Sequence, residues 1–161
     1  FAPFLDYGPQ ESAAWLRAGL EAAYDGFPAP VRSSVEVNAT IPAVPASEVA
    51  AVLERFPGCR VVKVKVAEPG QTLADDVARV AAVRDAWPGA VIRVDANRGW
   101  KTKEQALEMC EYLADKNCLF VEQPMMEDKL DDTAWIRERS PLPIIADEVF
   151  HRLPDLVKLK E

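Results

Sequence analysis

The sequence predicts an α/β fold built on a parallel sheet, and three observations carry that reading. Short β-branched runs recur about every 25 to 30 residues, the length of one strand–helix unit. Stretches of helical period fill the spaces between them, and Pro-Gly pairs such as Pro57-Gly58 and Pro88-Gly89 separate the two. The chain has 161 residues, 49% hydrophobic and 28% charged, the composition of a soluble globular domain. A complete (β/α)₈ barrel takes about 250 residues. With Phe1 rather than Met at the start, and a helical stretch after His151 running uncapped to Glu161, a piece of a longer chain is expected.

Residues 1–34 do not share the strand–helix period. Phe1–Tyr7 reads as the end of a strand and its turn, Pro9–Tyr24 as a helix with Leu16, Leu20 and Ala23 inward, and Gly26–Pro30 as a linker. They are read as the tail of a preceding domain, with a second domain over 35–161. Its strands are expected at Val35–Ile41, Arg60–Val66, Ala90–Asp95, Cys118–Glu122 and Leu142–Asp147. The first helix, Ser47–Phe56, puts Val49, Val52, Leu53 and Phe56 on one stripe before Pro57. The second opens at Thr72 as N-cap, with Asp75 and Asp76 in its first turn and Leu73, Val77, Val80 and Trp87 at helical spacing. Thr102 to Gln105 fits a capping box ahead of Ala106, Met109, Cys110 and Leu113. A fourth helix runs from Leu130 to Arg139, before Pro141. Trp15, Trp87, Trp100 and Trp135 are read as core. Right-handed crossovers then place the carboxyl ends of all the strands on one side.

A net charge of −7 argues against nucleic acid, whose phosphates require clustered Lys and Arg. Cys59, Cys110 and Cys118 are odd in number and lack C-x-x-C spacing, so reduced thiols in a cytoplasmic protein are expected. No apolar run is long enough to span a bilayer, so no membrane partner is expected. Before Trp100 the only lysines are Lys63 and Lys65, while after it lysine outnumbers arginine. A junction of two parental sequences is expected there.

Asp95, Glu122 and Asp147 each end an apolar strand run, at intervals of one strand–helix unit. In neighbouring parallel strands they converge at one mouth, where their repulsion calls for a cation. Oxygen-only ligands suit a hard ion such as Mg²⁺. Taken singly, each has a plain alternative: Asp95 capping a turn, Glu122 in solvent, Asp147 capping a helix. Lys63 and Lys65, two apart, share one face of a strand and Val62, Val64 and Val66 the other. A lysine desolvated near a cation is expected to have a depressed pKa suited to a general base; the alternative is an edge strand protected by charge. Asn97, Gln123 and Glu148 are candidates for orienting the ligands. His151 reads as a loop residue, no serine has a G-x-S-x-G setting, and no glycine-rich phosphate loop is present.

As a set, Lys63-Val64-Lys65, Val94-Asp95-Ala96-Asn97, Val121-Glu122-Gln123-Pro124 and Ile145-Ala146-Asp147-Glu148 resemble the muconate-lactonizing-enzyme subgroup of the enolase superfamily. The resemblance implies a partial (β/α)-barrel of about five units behind the tail of an α+β capping domain. It also implies Mg²⁺ on Asp95, Glu122 and Asp147, with Lys65 removing the proton α to a carboxylate and Lys63 assisting. Within the subgroup, the stretch through Ala96, with Asn38–Val44 and Lys63–Gly70, resembles bacterial o-succinylbenzoate synthases. Those lyases dehydrate a cyclohexadiene carboxylate to 2-succinylbenzoate in menaquinone biosynthesis. From Trp100 onward the chain resembles dipeptide epimerases as well. The implied partner is a small-molecule carboxylate; five units with open sheet edges also admit a homo-oligomer or an inactive assembly fragment.

Overall fold

Five strands pair in chain order in the computed structural model, which describes residues 7–150 and 154–160. Most of the strand end expected at Phe1–Tyr7, and His151, lie outside the described residues. The chain divides into two units, Phe1–Val35 and Glu36–Glu161. In the first, helix α1 (Pro9–Tyr24) opens with proline at its first turn, where the missing N–H costs nothing. The rings of Tyr7 and Trp15 stack at 5.9 Å. Leu16 and Leu20 are 43% and 49% exposed and Trp15 is 52% exposed, contrary to the inward stripe and the core role expected of them. Among its described residues this unit has no sheet or second helix for α1 to bury against.

In the second unit β1 (Asn38–Ile41), β2 (Val61–Lys65), β3 (Val91–Asp95), β4 (Cys118–Glu122) and β5 (Ile144–Ile145) form one parallel sheet in the order β1-β2-β3-β4-β5. Sequential neighbours with no reversal wind in one direction, as a barrel wall does, whereas a doubly wound sheet reverses. β1 begins at Asn38 rather than Val35 because its first partner is Val61, so Val35 and Val37 stay exposed. β5 is reduced to two residues, with Ile144 and Ile145 opposite Val121 and Glu122.

Helices α2 (Val49–Leu53), α3 (Leu73–Ala86), α4 (Lys103–Asp115) and α5 (Leu130–Arg139) supply the core that covers one side of the sheet. Ala39, Ile41, Val62, Val64, Ile92, Val94 and Val121 meet Val49, Leu53, Val80, Val83, Met109, Leu113 and Ile136 there. The alternation at β2 is as the sequence predicts: Val62 and Val64 are buried, while Lys63 and Lys65 are partly open on the other face. The first helix is shorter than expected, a 3-10 turn at Ala46–Glu48 leading into five helical residues. Thr72 and Asp75 exchange bonds as a full capping box. At α4 only half of the expected box forms, because the Gln105 side chain accepts from Lys101 N–H instead of Thr102 N–H. Trp100 is buried, and Trp87 and Trp135 pack at the margin of the core. A last helix, α6, covers Asp155–Lys160. Among the described residues no helix is long and apolar enough to cross a membrane.

The loops leaving β2 and β3 touch at Gly99. A Cβ there would lie 2.3 Å from the Ala67 carbonyl oxygen and 2.5 Å from the Ala67 Cβ. Gly99→Ala therefore forces backbone apart, and an overpacking loss of about 1–3 kcal/mol is expected in urea unfolding; a variant as stable as the parent would contradict this contact. All three cysteines are free, and burial pushes the Cys110 thiol up and the Cys118 thiol up to about 11. Only Cys59, partly exposed, is expected to react with Ellman's reagent at neutral pH, with Cys110 and Cys118 joining it in denaturant.

Candidate metal and acid–base site

Parallel pairing aligns the ends of three strands. Lys65 is opposite Asp95, and Asp95 is opposite Glu122. Both lysines point to the face without helices and meet these carboxylates there. Lys63 Nζ lies 2.8 Å from Asp95 Oδ2 and 2.8 Å from Glu122 Oε1, and donates to Glu122. Lys65 Nζ donates to Asp95 Oδ2 at 2.6 Å and to Asn97 Oδ1 at 2.7 Å. Asp95 is only 1% exposed, and burial alone would raise its pKa. Hydrogen bonds from Lys63, Lys65 and the Asn97 N–H outweigh that and hold it below the usual range. Glu122 moves the other way: burial, with the like charges of Asp95 and Asp147, keeps it above the usual range in spite of Lys63.

The depressed lysine pKa expected from the sequence is that of a lysine beside a cation; at Lys63 the groups that face the ammonium are carboxylates. Burial lowers its pKa, but the hydrogen bonds and charges of Asp95 and Glu122 more than offset burial, and the net direction is upward. The ammonium is held by the same carboxylates that the sequence assigns to a cation.

Asp147 does not join Asp95 and Glu122 in register. β5 ends at Ile145, which already pairs with Glu122, so Asp147 lies two residues past the strand and is exposed. The reason is local. Gln123, 2% exposed, donates its backbone N–H to the Ile145 carbonyl, and its side-chain oxygen then accepts from the N–H groups of Asp147 and Val149. A side chain replaces the ladder and the chain turns out of the sheet. Among the described residues no three His, Cys, Asp or Glu groups lie together as a ready cation cage.

The three supporting candidates are engaged. Asn97, at φ 40°, accepts from Lys65 and donates to Glu148 Oε1 at 2.8 Å. Gln123, at φ 41°, ties the end of β4 to the loop after β5. Glu148 Oε2 is buried with no hydrogen-bond partner. Adjacent carboxylates that already hold ammonium ions, an all-oxygen donor set and an unsatisfied buried carboxylate oxygen fit a hard divalent ion. A cavity of about 460 Å³ opens between the loops after β2 and β3, lined by Glu68, Gln71, Arg98 and Trp100; of the candidate residues it reaches Asn97 alone.

Sequence reasoning missed one feature. Asp76, read as a first-turn acid, is buried and paired with Arg79 behind β2. The signal was present: Asp76, Arg79, Val80 and Val83 follow the i, i+3, i+4, i+7 spacing of a single buried helix face.

Comparison with known proteins follows this geometry. Residues 46–161 match the family model described as enolase C-terminal domain-like, and residues 1–23 match the one described as enolase N-terminal domain-like. The chain is 48% identical over 159 residues to the o-succinylbenzoate synthase of Mycolicibacterium smegmatis, covering 99% of this chain and 48% of that protein. That single alignment runs through Trp100. The chain thus spans about half the length of the curated relatives it matches. Among solved structures, a racemase from Streptomyces coelicolor A3(2) with bound magnesium superposes with a TM-score of 0.69 at 30% identity, over 78% of this chain and 36% of that one. A dipeptide epimerase from Enterococcus faecalis V583 superposes at 0.67 and 27% identity, over 78% and 36%. The sheet order, the lysine–carboxylate layer and these matches together place the chain in the enolase superfamily.

Proposed function

We propose that this chain carries the proton-abstracting half of a carbon–oxygen lyase of the o-succinylbenzoate synthase kind. The supporting observation is the layer in which Lys63 and Lys65 share Asp95 while Glu122 completes the set, in a chain 48% identical to a protein of that name. The substrate would be a cyclohexadiene carboxylate bearing a hydroxyl one carbon from the acidic C–H. The same reading takes a small-molecule carboxylate as partner and the cytoplasm as compartment.

In this reading Asp95, Glu122 and Asp147 would hold Mg²⁺, and Gln123 would set the backbone of Asp147. When bound, the ion would supply positive charge that competes with the lysines for these carboxylates and opposes the negative charge gathering on the substrate carboxylate. Lys65, as the free amine, takes the α-proton. Lys63, one layer deeper, keeps positive charge beside Asp95 and Glu122. The C–H bond breaks, a C=C bond forms, the C–O bond breaks, and Lys65 returns its proton to the departing hydroxide as water. A syn dehydration can use a single lysine, first as base and then as acid, since the proton and the hydroxyl leave from the same face. Dehydration is favoured over the dipeptide epimerase reading by the 48% identity to an o-succinylbenzoate synthase, against 27% to the dipeptide epimerase.

Lys65→Ala in the protein that carries this chain should lower the dehydration rate at least 10²–10⁴-fold, the range for loss of a general base; retained turnover would remove Lys65 from the mechanism. Deuterium uptake at the α-carbon of a dipeptide, without dehydration, would replace the lyase reading by epimerisation. Mg²⁺ is expected to raise the thermal unfolding midpoint, and Asp95→Asn to abolish that rise. An equal rise in both proteins would place the ion elsewhere.

A further inference from the structure

Asp76 and Arg79 form an ion pair that the proposed chemistry does not use. Arg79 is 0% exposed and Asp76 1%, with Arg79 Nη1 2.9 Å from Asp76 Oδ1. The remaining bonds of the pair converge on the end of β2. Arg79 Nη1 donates to the Lys65 carbonyl at 3.0 Å, and Asp76 Oδ2 accepts from the Ala67 N–H at 2.9 Å. Arg79 Nε donates to the Val44 carbonyl at 2.7 Å, fastening the loop after β1, and Nη2 donates to the Gln71 side chain. Between these points the Val66 N–H donates to the Asp95 carbonyl at 3.0 Å. Lys65, Val66 and Ala67 are thus gripped in succession from behind the sheet and from the neighbouring strand.

Two features are poorly explained by stability alone. A buried ion pair is often matched or bettered in stability by apolar side chains of similar volume. Ala67 has φ 60°, a left-handed conformation that is costly for a residue with a Cβ and persists only where its surroundings impose it. Ala67 lies two residues after Lys65, and the ion pair bonds to the backbone of both, while the Lys65 amine emerges on the opposite face.

We propose that Asp76 and Arg79 are positioning residues for Lys65, fixing the backbone on both sides of Val66 and so the height at which the amine meets Asp95, Asn97 and the substrate proton. The inference rests on the reading of Lys65 as base. A displacement of about 1 Å at such a group is worth about 10²-fold in rate.

The test uses Asp76→Asn, and Asp76→Leu combined with Arg79→Met, in the protein that carries this chain. The expected result is folded protein in which kcat falls about 10- to 100-fold while KM changes by less than about threefold, and in the double variant, where the Ala67 N–H loses its side-chain acceptor, amide exchange at Ala67 quickens at least about tenfold. A merely structural role would lower the unfolding midpoint and leave kcat per folded molecule and the kcat-to-KM pattern intact; that result overturns the proposal, as does unchanged exchange at Ala67 in the double variant. If the double variant does not fold, Asp76→Asn, which keeps the volume, decides alone. Lys65→Ala runs beside them: full activity there brings down the base reading itself, whereas loss there with normal kcat in the Asp76 variant brings down only the positioning role.

Discussion

Asp95 is a carboxylate almost wholly withdrawn from water at the end of a parallel strand, and its neutralisation shapes everything around it. A buried anion is tolerated only with opposite charge and hydrogen-bond donors at hand. Lys63, Lys65 and the Asn97 N–H provide them. For both lysines to reach it, β2 must lie beside β3 in a register that puts Lys65 opposite Asp95. The sheet order is therefore also a condition on charge.

The two faces of the sheet divide the work. On the helical side, valines, isoleucines and leucines exclude water and hold the strands in register. On the other, the spacing of about 4.8 Å between parallel strands brings side chains of opposite charge into direct contact. Besides Gly70, the loops leaving β2, β3 and β4 contain four left-handed residues that are not glycine, Ala67, Asn97, Arg98 and Gln123. Such backbone is held in place by what it bonds to: Ala67 by Asp76, Asn97 by Asp95 and Glu148, Gln123 by the loop after β5. Rigid strands and over-determined exits together hold the site's side chains in place.

Membership of the enolase superfamily gives this layer its proposed chemical meaning: positive charge beside paired carboxylates would stabilise the anion left when a base takes a weakly acidic proton. The chain covers about half of its curated relatives, and the lysine–carboxylate layer falls wholly within that half.

Alternation in Arg60–Val66 was enough to put Lys63 and Lys65 on one face, because the period of a strand is two whatever surrounds it. The recurrence of carboxylates at strand ends likewise brought Asp95 and Glu122 together before any coordinates. Helix caps were partly legible: Thr72 caps α3 as its place predicts, with a return bond from Asp75 that the reading did not include, while Gln105 accepts from Lys101 N–H rather than Thr102 N–H. Three things were decided only by tertiary structure. The stripe of α1 found no partner among the described residues of its own unit. Asp147 left the register because Gln123 took its N–H, and Lys63 is pushed up in pKa because two carboxylates face it. Periodicity and spacing are properties of the local chain, whereas burial, hydrogen-bond competition and the balance of charge depend on which distant residues arrive beside them.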